Sequence, residues 1–253
     1  MNPLYWLLGA VGIALQIVLV YNLTVKRYSI RLAYLYAYSI VLVLTDGLDL
    51  GMRILQPSLV VHASRMWAYY WFNDFVREFS LFLFIASLLY LAAGHSPDAK
   101  RLSQRASAAV VVIAIISGFY FRSERLSTWA TEVVRNVSFA VVFVNVALWS
   151  ALIRSGEPER LPLMLSAGIG LQMTGEAMGQ ALRSSPIRHR FHSVVLIGNL
   201  VLILSHILCL LTWLYALRAD ERRLEAAAAG RVMEPPPASD PPAAQSALAN
   251  RPL

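Results

Sequence analysis

The chain runs from Met1 to Val25 without one charged side chain, and from Ser193 to Leu217 with no ionisable group beyond His206 and Cys209 and the phenol of Tyr215. Runs of this length limit the fold more than any other feature. A helix rises 1.5 Å per residue, so about 20 apolar residues cross the roughly 30 Å hydrocarbon core of a bilayer. The 253 residues hold seven such stretches, at about 3–25, 32–52, 67–93, 106–121, 131–153, 161–182 and 192–217. The fourth is the shortest and spans if Arg105 and Arg122 at its ends extend toward the interfaces. Composition agrees: 57% of residues are hydrophobic and 15% charged, where a soluble domain carries about 25%. The expected fold is an all-α integral membrane protein, a seven-transmembrane-helix bundle. The first stretch has no basic residue before it and no small-residue cleavage site after it, so it reads as a span and not as a cleavable signal peptide.

The net charge of +7 comes from short basic clusters between apolar runs. That distribution points to a lipid bilayer as the partner and away from nucleic acid. The odd-numbered loops and the C-terminal segment hold thirteen Lys and Arg, the even-numbered loops and adjoining ends eight. By the positive-inside rule the N-terminus lies outside and the C-terminus in the cytoplasm. Twenty Arg against two Lys suggest a GC-rich bacterial genome, and hence a cell inner membrane. After Leu217 the composition changes. Residues 218–225 extend the seventh helix by about two turns, and 226–253 form an Ala- and Pro-rich tail expected to be disordered. The tail is too short for a kinase, cyclase or DNA-binding domain, so a signal is expected to pass to a separate cytoplasmic partner.

Ionisable groups within a span mark a functional site by default, because lipid gives them no partner. Here they cluster. The second span carries Asp46 and Asp49, with Arg53 a turn further out; the third carries Asp74, Arg77 and Glu78; the fifth begins with Glu132 and Arg135; the sixth carries Gln172, Glu176, Gln180 and Arg183. Each set has the spacing of one helical face. Asp46 and Glu176 each lie seven residues below an arginine and Asp74 nine below Arg65, which places all three roughly 10–13 Å under the outer rim. These residues are expected to line an acidic pocket open to the outside, above an apolar cytoplasmic plug. Six acids face at most four arginines (Arg53, Arg77, Arg135 and Arg183), so either some carboxyls are protonated or a cation or cationic ligand is bound. The alternative is that the same residues form salt bridges and hydrogen bonds that fix helix packing.

Other chemistry has less support. A metal set would draw on Asp46, Asp74, Glu176 and His192, but His189 and His192 stand among Arg188 and Arg190, the pattern of a basic interfacial loop. Haem is disfavoured, since His206 is the one histidine well inside a span and bis-histidine ligation needs two. Retinal is excluded by the lack of any lysine in a span. The lone Cys209 reads as a packing residue, and Gly168, Gly170, Gly175 and Gly179 permit close helix approach. Seven helices with an outward N-terminus and a polar outer pocket resemble, in architecture, the sensory modules of bacterial seven-helix receptors. That resemblance implies a receptor-like or accessory role in sensing a small ligand or cation; whether the protein is an enzyme stays open, with a non-enzyme the favoured reading. A proton- or cation-coupled transporter component is the first alternative, for which the apolar inner half offers little relay. A metal-assisted intramembrane hydrolase is the second, for which no set of three histidines occurs in matching spans.

Overall fold

The computed structural model describes residues 3–26, 28–55, 63–92, 101, 104–105, 108, 112, 141–146, 148–150, 160–184 and 192–232. Among them no strand occurs, and six helices are formed: α1 (Pro3–Val25), α2 (Tyr28–Arg31), α3 (Ala33–Leu55), α4 (Ala63–Ala92), α5 (Arg160–Ser184) and α6 (His192–Val232). Three are long and apolar enough to cross a membrane, over Leu4–Val25, Ala33–Met52 and Ser193–Ala227. The described residues between 141 and 150 are helical too. Most of the expected fourth and fifth spans, and with them Glu132 and Arg135, lie outside the described residues, as does the chain after Val232.

Local chemistry explains the ends of these helices. Pro3 opens α1, where its missing N–H has no helical partner to lose. Near the other end Asn22 Nδ2 donates to Val18 O and Thr24 Oγ1 to Val20 O, both at 2.8 Å, so polar side chains fold back onto the backbone. The one-turn α2 then joins almost directly to α3: Leu32 N donates to Tyr28 O at 2.7 Å and Tyr36 N to Leu32 O at 2.9 Å. This tight connection leaves α1 and α3 as packed neighbours, with α3 against α4 and α4 against α5.

Glycines set the contact between α5 and α6. A Cβ on Gly168 would lie 2.5 Å from Trp213 Nε1, one on Gly175 would collide with Ser205, and one on Gly179 would lie 2.8 Å from the Gly198 carbonyl. As the α5 number rises the α6 number falls, so the helices run antiparallel with their backbones nearly touching, the geometry small residues allow in membranes. On the far side of α5, Asn145 Nδ2 donates to Ser166 O at 3.2 Å and Ser166 Oγ donates to Asn145 Oδ1 at 2.8 Å. The core consists of Leu19, Leu23, Leu35, Tyr38, Leu42, Phe84, Ile85, Leu88, Leu165 and Trp213, all essentially without exposed surface.

The C-terminal expectation needs one correction. Helix α6 continues to Val232, seven residues beyond the two-turn extension expected to stop at Glu225. The reason is local: Ala226–Ala229 are the strongest helix formers and carry the helix to Gly230 without any tertiary burial. From Leu217 the chain belongs to a separate compact unit. Side chains from Arg222 to Ala227 in that unit are exposed.

Candidate functional site

Four helices each contribute one polar side chain to a common layer. Gln16 on α1 is fully buried. Its Nε2 lies 2.6 Å from Asp46 Oδ2 on α3 and 2.9 Å from His206 Nε2 on α6. The other Asp46 oxygen, Oδ1, lies 3.4 Å from a guanidinium nitrogen of Arg77 on α4. Counting along each helix places this layer deep. Gln16 follows Pro3 by thirteen residues, and Arg77 and His206 follow Ala63 and His192 by fourteen each, on the order of 20 Å of rise. Asp46 is nine residues, about 14 Å, from the end of α3 at Leu55.

A second layer lies about 10–12 Å further along the same helices, seven or eight residues on. There Tyr38, Phe84 and Trp213 meet. Tyr38 stacks on Phe84 with centroids 6.3 Å apart, and Trp213 meets both edge-on, at 5.9 Å and 5.6 Å. Aromatic pairs favour such offset and edge-to-face geometries. Their polar atoms are satisfied from α5: Trp213 Nε1 donates to Leu165 O at 2.9 Å, and Gln172 Nε2 donates to Tyr38 OH at 3.3 Å. The three rings are fully buried and join α3, α4 and α6, with α5 hydrogen-bonded to two of them.

The residues expected from sequence fall into three groups. Asp46, Asp74 and Glu176 all act on the Arg77 guanidinium as its charged neighbours, so three helices bring their acids toward one cation. Asp46 is in direct contact, while Asp74, a turn before Arg77, is exposed. Asp49 and Glu78 are half-buried, one turn further along α3 from Asp46 and next to Arg77 in sequence. Gln172 belongs with the aromatic layer. The side chains of Gln180, Arg53, Arg183 and His192 lie outside what is described. Among the described residues no three His, Cys, Asp or Glu side chains gather as a metal ligand set. Asp46 contacts the Arg77 guanidinium, Asp74 and Glu176 lie within its electrostatic reach, and among the described residues the three form no metal-ligand cage.

Gln16 and His206 were absent from the expected site, yet they connect α1 and α6 to Asp46. The available signal was that Gln16 is the sole amide in the first nineteen residues of α1. Three atoms in and beside these layers are shielded from solvent and have no hydrogen-bond partner: Gln16 Oε1, Gln172 Oε1 and His206 Nδ1. Two are acceptors, and the third donates or accepts according to the imidazole tautomer. Compared with protein-family models, curated proteins and solved structures, the chain matches none of them.

Proposed function

We propose that the protein is a seven-span inner-membrane protein that binds a small ligand or cation from the outer side, as a sensor or accessory component with a partner on the cytoplasmic face. In this reading α4, α5 and two helices within 106–153 complete the bundle around the three apolar spans. The excess of basic residues in the odd-numbered loops supports an outward N-terminus. The observation that carries the reading is the buried, unpartnered acceptor Gln16 Oε1 beside the Asp46–Arg77 pair. A buried polar group without a partner costs about 1–3 kcal/mol, and a polar ligand reaching it recovers that cost. The carboxylates around Arg77 favour a ligand with a positive charge or several N–H donors.

Transport is the second reading, supported by the contact chain His206–Gln16–Asp46–Arg77 across four helices. The fully buried aromatic Tyr38–Phe84–Trp213 layer opposes it. The test is thermal melting of the purified protein in detergent with sodium, potassium, magnesium, calcium and methylammonium salts. The reading expects at least one cation to raise the melting temperature of wild type, and Asp46→Asn to abolish that rise. A melt indifferent to every cation rejects the occupied acidic site.

A further inference from the structure

The Gln16 side chain carries a constraint that the ligand-binding reading does not use. Its Nε2 touches two groups, Asp46 Oδ2 at 2.6 Å and His206 Nε2 at 2.9 Å. A carboxylate paired with a guanidinium only accepts hydrogen bonds, so the amide must turn its NH2 toward Asp46. The second amide hydrogen then points at His206 Nε2, which must offer a lone pair. The imidazole is thereby fixed as the neutral tautomer with its proton on Nδ1, the atom that has no partner.

An added proton changes this arrangement. It binds His206 Nε2, the only ring nitrogen with a free lone pair. Nε2–H would then face the Gln16 NH2, donor against donor. Relief requires the amide to turn over and present Oε1 to the imidazolium. That same oxygen would then stand against Asp46 Oδ2, acceptor against acceptor, so Asp46 must leave α1. We infer that Gln16 makes a proton on His206 and the Gln16–Asp46 hydrogen bond mutually exclusive, so that protonation unties α1 from α3. No bond other than hydrogen bonds breaks, and the proton comes from water.

The groups around His206 pull both ways: Asp46 favours an added proton and the Arg77 guanidinium repels it. From α1 it meets Gln16; the charged groups that act on it or on its neighbours are Asp46 from α3, Arg77 from α4 with Asp74 a turn before it, and Glu176 from α5, which acts on the Arg77 guanidinium; on α6 itself, Cys209 lies one turn on. Once Gln16 lets go, Asp46 keeps its contact with Arg77 and sits between two cations, which holds it on the α4 side.

The experiment is solid-state NMR of the full chain in phosphatidylcholine vesicles, with nitrogen-labelled histidine and glutamine, assigned by difference against His206→Asn and Gln16→Met. At neutral pH the His206 signals should be those of a neutral ring protonated at Nδ1. As the pH falls from about 8 to about 3 the ring should become charged, and the Gln16 amide signal should shift with the same midpoint. In Gln16→Met the tautomer preference should be lost. An Nε2–H tautomer at neutral pH overturns the inference without recourse to any variant. So does a ring that stays neutral over the whole range, or an amide signal that does not move while the ring titrates.

Discussion

Replacing Gly168 by Ala adds one methyl group where α5 meets the aromatic layer. That methyl would lie 2.5 Å from Trp213 Nε1, 2.8 Å from Trp213 Cδ1 and 3.3 Å from the Cys209 carbonyl oxygen. The first two distances are far inside contact, so the indole must move. Its Nε1–H currently donates to Leu165 O at 2.9 Å, three residues away on the same helix, and a shift that clears the methyl breaks that bond. Overpacking costs about 1–3 kcal/mol, and an orphaned buried N–H about 1–3 kcal/mol more. Better helix propensity returns about 1 kcal/mol. The net loss should be about 3 kcal/mol, read as a lower midpoint in SDS-induced or thermal unfolding of detergent-solubilised protein. Gly9→Ala is the control, since nothing lies within 4 Å of its added Cβ, and it should be neutral or slightly stabilising. Trp213→Ala removes both atoms that collide, so Gly168→Ala and Trp213→Ala together should cost less than the sum of each alone. Gly168→Ala melting like wild type, or Gly9→Ala losing as much, would refute the close α5–α6 packing.

Two further outcomes follow from polar contacts. Asp46→Asn keeps the shape of the side chain but removes the carboxylate in contact with Arg77, while Asp74 and Glu176 still act on it; the loss of stability should be about 1–3 kcal/mol, between an exposed and a buried ion pair, measured by thermal melting at constant salt. Asn145→Ala and Ser166→Ala should each destabilise the protein, and the double variant should show a coupling of about 0.6–1.7 kcal/mol in an unfolding cycle; zero coupling would place these two side chains apart.

Much of the architecture is legible in the sequence because lipid imposes a simple rule: an apolar run long enough to cross must be helical. The expected stretch at 3–25 coincides with α1, and those beginning at 32, 161 and 192 start within a residue of α3, α5 and α6. The start of α4 at Ala63 is less legible, since Ser64, Arg65 and Asn73 break the apolar pattern of its first turns. The acids were found by the same rule, as charge where none is favoured. Gln16 escaped it because an uncharged amide barely disturbs hydropathy, although it has the most demanding hydrogen-bond geometry in the layer. The aromatic layer was not legible either. Tyr38, Phe84 and Trp213 are ordinary residues of apolar helices, and only the glycine-mediated approach of α5 to α6 brings Trp213 to the other two. Belts of Trp near span ends give no sign of which ring turns inward.

The central claim is that a polar layer is reached from outside and closed off below by the aromatic layer. Single cysteines introduced in a Cys209→Ala background test it, since Cys209 is the one native cysteine. Asp49→Cys stands one turn outward of Asp46, Ser39→Cys replaces a fully buried residue beside Tyr38, and Ala227→Cys lies in the exposed last turns of α6. Intact cells are treated with a membrane-impermeant maleimide, and then again after permeabilisation. The account predicts that Asp49→Cys is labelled from outside, Ala227→Cys only after permeabilisation, and Ser39→Cys under neither condition. Labelling of Ser39→Cys from either side, or of Asp49→Cys only from the cytoplasmic face, would contradict it.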